Sequence, residues 1–186
     1  MKIMNFSALA IAALAVSACS SSNSGGSRSF DQLAEEGQAL ITKYENEDVT
    51  PTSNVPTAGN ATYNGVAAFG TTQSFDVQNA EALAAVSLEA DFAANSISGT
   101  IDNFVDFDGE RAPGSVAVTN GTIAGNAIEA DLSGDLTIEG TSIAVGGDLA
   151  GNFVGANAEA IIGDIEADLT GPGGSETIFG VFGVEQ

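Results

Sequence analysis

From Asn60 to Gln186, apolar residues recur at every second position in short blocks separated by glycine, asparagine or aspartate. That period puts apolar side chains on one face of an extended strand and polar ones on the other. Tyr63, Gly65 and Ala67 make the first block. Val86, Leu88, Ala90 and Phe92 follow, alternating with Ser87, Glu89 and Asp91. After a turn at Ala93-Ala94-Asn95, Ile97, Gly99 and Ile101 oppose Ser98, Thr100 and Asp102. Val116 and Val118 open another block. Ile128, Ala130 and Leu132 continue into Leu136 and Ile138 across Ser133-Gly134, which reads as a bulge. Ile143 and Val145 come next, with Gly146-Gly147 read as turn glycines before Leu149 and Phe153. Gly155 to Ala158 turns the chain, and Ile165, Ala167 and Leu169 then alternate with Asp164, Glu166 and Asp168. Beyond Gly171-Pro172-Gly173-Gly174 the last run, Ile178 to Val184, is apolar almost throughout. Such a strand needs a covered edge, because an open one invites aggregation, and its simplest partner is the first strand. The pattern therefore predicts an all-β fold: a single antiparallel up-and-down β-barrel of about eight strands. Glycines such as Gly65, Gly99 and Gly151 would let those strands bend into closure.

Upstream the period changes. Phe30, Leu33, Ala34, Leu40, Ile41 and Tyr44 fall on one helical stripe, with Asp31, Glu35, Glu36 and Gln38 elsewhere. Ser29 and Gln32 have capping-box spacing. Gly37 weakens the helix centrally, so the element needs cover for its apolar face. Its polar face is acidic, unlike that of a membrane-surface helix, which favours docking on the barrel. Residues 46–59, with Pro51 and Pro56, read as an extended linker.

The first residues describe export. Lys2, an apolar run from Ala8 to Val16, and Val16-Ser17-Ala18-Cys19 read as a lipoprotein signal peptide over 1–18 ending in a lipobox. The run is shorter than the ~20 residues that span a bilayer. Cys19 is the sole cysteine, which makes it the lipid-attachment residue and leaves no disulfide. Similarity to bacterial lipoproteins implies a diacylglycerol on Cys19 plus an amide-linked acyl chain such as palmitate. With Ser20 following, it also implies the outer membrane rather than the inner. The predicted organisation is signal peptide 1–18, flexible tether 19–28, amphipathic helix 29–45, linker 46–59 and β-barrel 60–186.

The barrel's closing segment carries a resemblance. Gly151 to Ala160, GNFVGANAEA, then Gly163, then Phe179-Gly180-Val181-Phe182-Gly183, resembles the end of the transferrin-binding protein B-type β-barrel. Ala156 stands where that family usually has proline. The segment Pro56 to Gly65 is similar to the opening strand of small lipoproteins with this barrel. The resemblance covers roughly Gly59 to Gln186. It implies a barrel that presents loops to a macromolecule, without implying transferrin or iron as ligand, since there is one barrel and no second lobe.

Charge and missing chemistry narrow the function. Four Lys+Arg stand against 25 Asp+Glu, a net charge of −21. Nucleic acid and anionic lipid surfaces, which require basic patches, are excluded as partners. An acidic phrase recurs as Glu89-Ala90-Asp91, Glu129-Ala130-Asp131 and Glu166-Ala167-Asp168, each read as ending a strand and together forming an acidic outer face. Histidine is absent, which removes the Ser-His-Asp and Cys-His triads and the common zinc sites. No phosphate-binding fingerprint precedes a helix. No enzyme and no cofactor are predicted.

The remaining candidate is the connection from Asp102 to Pro113. It contains Asp102, Phe104, Asp106, Phe107, Asp108, Glu110 and Arg111, with the two phenylalanines as apolar anchors for a partner. Its oxygen density would suit Ca²⁺, yet the alternation of a calcium loop is broken and the segment follows a strand; an acidic rim loop is the stronger reading, and no metal site is assigned. Three functions fit. They are a lipid-anchored outer-membrane barrel that binds a macromolecule, a lipocalin-style carrier of a small apolar ligand, and a structural envelope lipoprotein.

Overall fold

A computed structural model describes residues 27–72 and 77–186; the signal peptide, Cys19 and most of the tether lie outside the described residues. Eight antiparallel strands run β1 (Asn60–Gly70), β2 (Ala82–Asp91), β3 (Ser96–Asp106), β4 (Arg111–Ala124), β5 (Ala127–Ile138), β6 (Thr141–Val154), β7 (Ala160–Gly171) and β8 (Gly174–Glu185). Each pairs with the next, and β8 returns to β1 through Asn64–Glu185 to Gly70–Phe179. The closed up-and-down barrel is the expected fold, and its last strand does meet its first. No strand edge is left open, which answers the hazard of ending on so apolar a run.

Inward positions follow the sequence period. Tyr63, Leu88, Ile101, Ile128, Leu149 and Phe153 are fully buried members of one interior cluster that reaches every strand. At about eight strands a barrel is narrow enough for side chains to fill it. The outward partners Glu89, Glu129, Asp131, Glu166 and Asp168 are exposed.

Three local readings are corrected. Gly146-Gly147 is no turn but the middle of β6, because a β-carbon on Gly147 would lie 2.1 Å from the Glu166 carbonyl oxygen; the glycine admits the neighbouring backbone. Ser133-Gly134 is no bulge: the β4–β5 register runs unbroken past it, and the shift in that pair lies between Thr119 and Thr122. The acidic phrase ends a strand only at Asp91; at Glu129 it sits early in β5 and at Glu166 in mid β7.

Helix α1 (Phe30–Tyr44) begins with the capping box: Gln32 N–H donates to Ser29 Oγ at 3.3 Å and Ser29 N–H to Gln32 Oε1 at 2.9 Å. It lies outside the barrel against β1, β2 and β8. Leu33 packs with Val66, Ala68, Leu83 and Val105, and Leu40 and Tyr44 pack with Val154 and Ala160. The buried stripe is Leu33, Gly37, Leu40 and Tyr44, while Ile41 turns out to solvent at 37% exposure. Gly37 takes the place expected for a bulkier residue because a β-carbon there would come within 3.1 Å of Val77 Cγ1. The helix also explains why β1 is buried on both faces from Gly65 to Gly70, and why the outward residue Val181 of β8 is apolar.

Candidate functional site

The two ends of the barrel differ. At the lower end, where β1 begins and β8 stops, residues read as a linker form a plug. Thr50, fully buried, donates from Oγ1 to the Gly155 carbonyl at 2.7 Å and from its N–H to the Phe153 carbonyl at 2.8 Å. Asn126 Nδ2 donates to the Thr50 carbonyl at 2.9 Å, and Asn54 Nδ2 to the Ala156 carbonyl at 3.0 Å. Val49 bridges to Val154, and Val55 enters the interior cluster. Tyr63 Oη donates to the Ala158 carbonyl at 2.8 Å, and Gln186 Nε2 reaches the same carbonyl at 2.9 Å. Burial pushes the Tyr63 hydroxyl pKa up, so it stays a neutral donor. The rings of Phe92 and Phe153, 5.8 Å between centroids, complete the seal.

The upper end is open. A cavity of about 610 Å³ sits in the mouth, floored by Phe69, Phe104, Leu136, Leu169 and Ile178. Its size falls within the ~300–1,000 Å³ of ligand pockets. Polar groups are confined to the rim: Asp106, Glu110, Glu139 and Arg111 are the ionisable residues that line it, three carboxylates to one guanidinium.

The β3–β4 connection forms one wall of this mouth. Asp106 shapes it: Oδ1 accepts the Asp108 N–H at 3.0 Å and the Glu110 N–H at 2.8 Å, and the Asp106 N–H donates to the Glu110 carbonyl at 3.0 Å. That carboxylate is occupied in holding the turn. Among the described residues no group of three or more metal-ligating side chains is placed to hold an ion. The tight turn leaves Phe107 at its tip with 67% of its surface exposed, the most exposed large apolar side chain among the described residues.

Of the candidate residues, Asp106, Phe107, Asp108, Glu110 and Arg111 meet at this rim. Asp102 does not; it lies exposed on the outer face of β3, opposite Ala85 and Ser115. Phe104 is corrected outright. β3 extends to Asp106, and Phe104 is buried in the interior, its ring 5.8 Å from that of Phe69, so it is floor rather than anchor.

Arg111 has a second duty. Its guanidinium donates at 2.9 Å to Asn103 Oδ1 and at 2.9 Å to the Arg28 carbonyl, which Asn103 Nδ2 also reaches at 3.1 Å. Arg28 in turn pairs with Glu36 on α1. The chain therefore enters the fold at the open rim, and α1 descends from there to Lys43 and Tyr44, which both bond Glu185 near the plugged end. Asn103 serves this latch at φ 52°, a left-handed conformation that asparagine tolerates. Reading Asp102 to Pro113 as a loop hid Asn103, and reading Leu136, Ile138, Leu169 and Ile178 only as strand residues hid the cup that they line. The inward parity of β5, β7 and β8, followed to the strand ends, is the signal that would have found the latter four.

The fold is thus a closed barrel with an apolar interior cluster, one plugged end and an apolar cup at the other. The chain belongs to the family of C-lobe and N-lobe β-barrels of Tf-binding protein B, whose family model matches residues 55–186. Similar solved structures include a double mutant of the vaccine antigen transferrin-binding protein B from Haemophilus parasuis, at 20% identity and a TM-score of 0.46 over 75% of this chain and 27% of that one. Another is isotype 1 transferrin-binding protein B from serogroup B Neisseria meningitidis, at 22% identity and a TM-score of 0.42 over 74% of this chain and 28% of that one. The chain thus spans little more than a quarter of the length of these structures. No curated protein matches it.

Proposed function

We propose that this chain is a non-enzymatic, lipid-anchored binding module of the outer membrane whose open rim engages a macromolecular partner. The asymmetry of its ends carries the reading. Thr50, Asn54 and Val55 together with Tyr63 and Gln186 close one mouth, whereas the other keeps an apolar cup and an exposed Phe107. A central apolar anchor ringed by polar groups is the anatomy of a contact hot spot. The family is named for Tf-binding protein B, and what supports a protein partner for this chain is that membership together with the rim. A small-ligand carrier is disfavoured because side chains fill the barrel below the cup.

The anchor is Cys19. Nine peptide steps separate it from Arg28, so the tether reaches at most about 30 Å and leaves from the open rim itself. Cys19→Ser is expected to move the protein from the membrane fraction to the soluble one with an unchanged melting curve. Retention in membranes after a high-salt wash would refute lipid anchoring.

The partner reading is tested by a photo-crosslinking residue in place of Phe107, compared with the same residue in place of Ala156 at the sealed end, in intact cells. Protein adducts are expected from the rim position, and Phe107→Ser in the uncrosslinked chain should weaken capture of the same protein about tenfold or more. Adducts confined to the sealed end would overturn the assignment.

A further inference from the structure

We infer that the mouth is a site for a protein segment that inserts one apolar side chain between basic neighbours; this deepens the proposed contact at the rim and rests on it. Two observations carry it. The floor of the 610 Å³ cup is apolar, built by Phe69, Phe104, Leu136, Leu169 and Ile178, and offers no polar group to orient a small ligand. The rim has the opposite character. Asp106, Glu110 and Glu139 line it, Asp108 stands exposed on the adjoining turn, and Arg111, the cation among the lining residues, is drawn aside by Asn103 and the Arg28 carbonyl.

Size and charge then select the occupant. A cup several times the volume of one ring admits an inserted leucine or phenylalanine together with the backbone that carries it, whereas a fatty acid or another anionic amphiphile would set its head group against three carboxylates. Lysine or arginine on either side of the inserted residue meets complementary charge at once, and the net charge of −21 speeds the approach of a basic segment. Phe107, 67% exposed at the edge, extends the apolar contact to a second position on the partner.

The probes are short peptides titrated calorimetrically into the full chain carrying Cys19→Ser. One has a central phenylalanine flanked by lysines, one the same phenylalanine flanked by glutamates, and one a central serine flanked by lysines. Binding of the first is expected on the order of tenfold tighter than the second at low salt, with the gap narrowing as salt rises. It should exceed the third by about tenfold or more, as full burial of an aromatic side chain requires. Glu110→Gln with Glu139→Gln should narrow the charge preference and keep the phenylalanine preference.

Ile138→Trp, at a position 39% exposed on the rim, covers the cup without altering the core, and Leu169→Trp blocks it from within. Both should remove the phenylalanine preference, and because the chain contains no tryptophan each also reports folding by its own fluorescence. Equal binding of the lysine- and glutamate-flanked peptides would overturn the charge inference and leave the rim as the contact surface. A phenylalanine preference that survives both tryptophans would place the contact elsewhere, and would overturn the rim reading with it.

Discussion

Gly65→Ala is expected to open the seam of the barrel. Gly65 sits on β1 opposite Val184 in the pairing that closes the cylinder. A β-carbon there would lie 2.1 Å from the Gly183 carbonyl oxygen and 2.9 Å from Val184 Cα. Both are backbone atoms, so no rotamer change relieves the clash; β8 itself must move away. Overpacking of this kind costs about 3 kcal/mol or more. For a domain of this size that is a fall of roughly 6–12 °C in Tm. Gly183→Ala is the internal control. Its β-carbon would meet only Leu40, at 3.8 Å, and the change should stay within about 0.5 kcal/mol. Thermal melts of the two variants that superimpose would show that the seam is looser than described.

Leu33→Asp should be nearly as damaging, for a different reason. Leu33 is wholly buried between α1 and the outer faces of β1, β2 and β3. Losing its apolar burial and leaving a carboxylate without a partner there should cost about 3–5 kcal/mol. The barrel wall at Val66, Ala68, Leu83 and Val105 would be bared as the helix lifts, so a dye that binds apolar surface should brighten well below the melting transition. Ile41→Asp, one position away from Leu40 but 37% exposed, should leave both signals unchanged. An unaltered melt for Leu33→Asp would mean that the helix contributes nothing to stability.

How much of this was legible beforehand depended on whether a feature is local. The β-class, the turns at Ala93 to Asn95 and at Pro172-Gly173, the capped start of α1 and the facing of strand residues wherever the register is regular all follow from spacing along the chain, since the pleat and the cap are properties of a few consecutive residues. Glycine was the ambiguous letter. Gly147 admits the Glu166 carbonyl inside a strand, and Gly155, at φ +85°, turns the chain between two strands, yet both read alike in sequence. What separates them is the position of another strand.

The candidate contact site divided along the same line. Asp106 to Arg111 could be picked out because carboxylates, an aromatic and a cation crowd a turn. Phe104 was misplaced because β3 continues four residues past Asp102, to Asp106, and its register against β4 shifts at Asn103, between Asp102 and Phe104, which turns that ring inward. The apolar floor was invisible as a site, since Leu136, Leu169 and Ile178 look like any inward residue of β5, β7 and β8 until closure brings three strand ends together.

By itself, then, the sequence determined an alternating, closed, acidic barrel, with a capped helix ahead of it. The tertiary structure alone decided which end is open. That outcome turns on residues distant in the chain: Thr50 and Asn54 bond carbonyls of the β6–β7 turn more than a hundred positions away, and Arg111 clasps the chain at Arg28. Hydrogen bonds of that span leave no periodic trace, because what they satisfy is the unpaired backbone at a barrel end, and that need exists only once the barrel has closed.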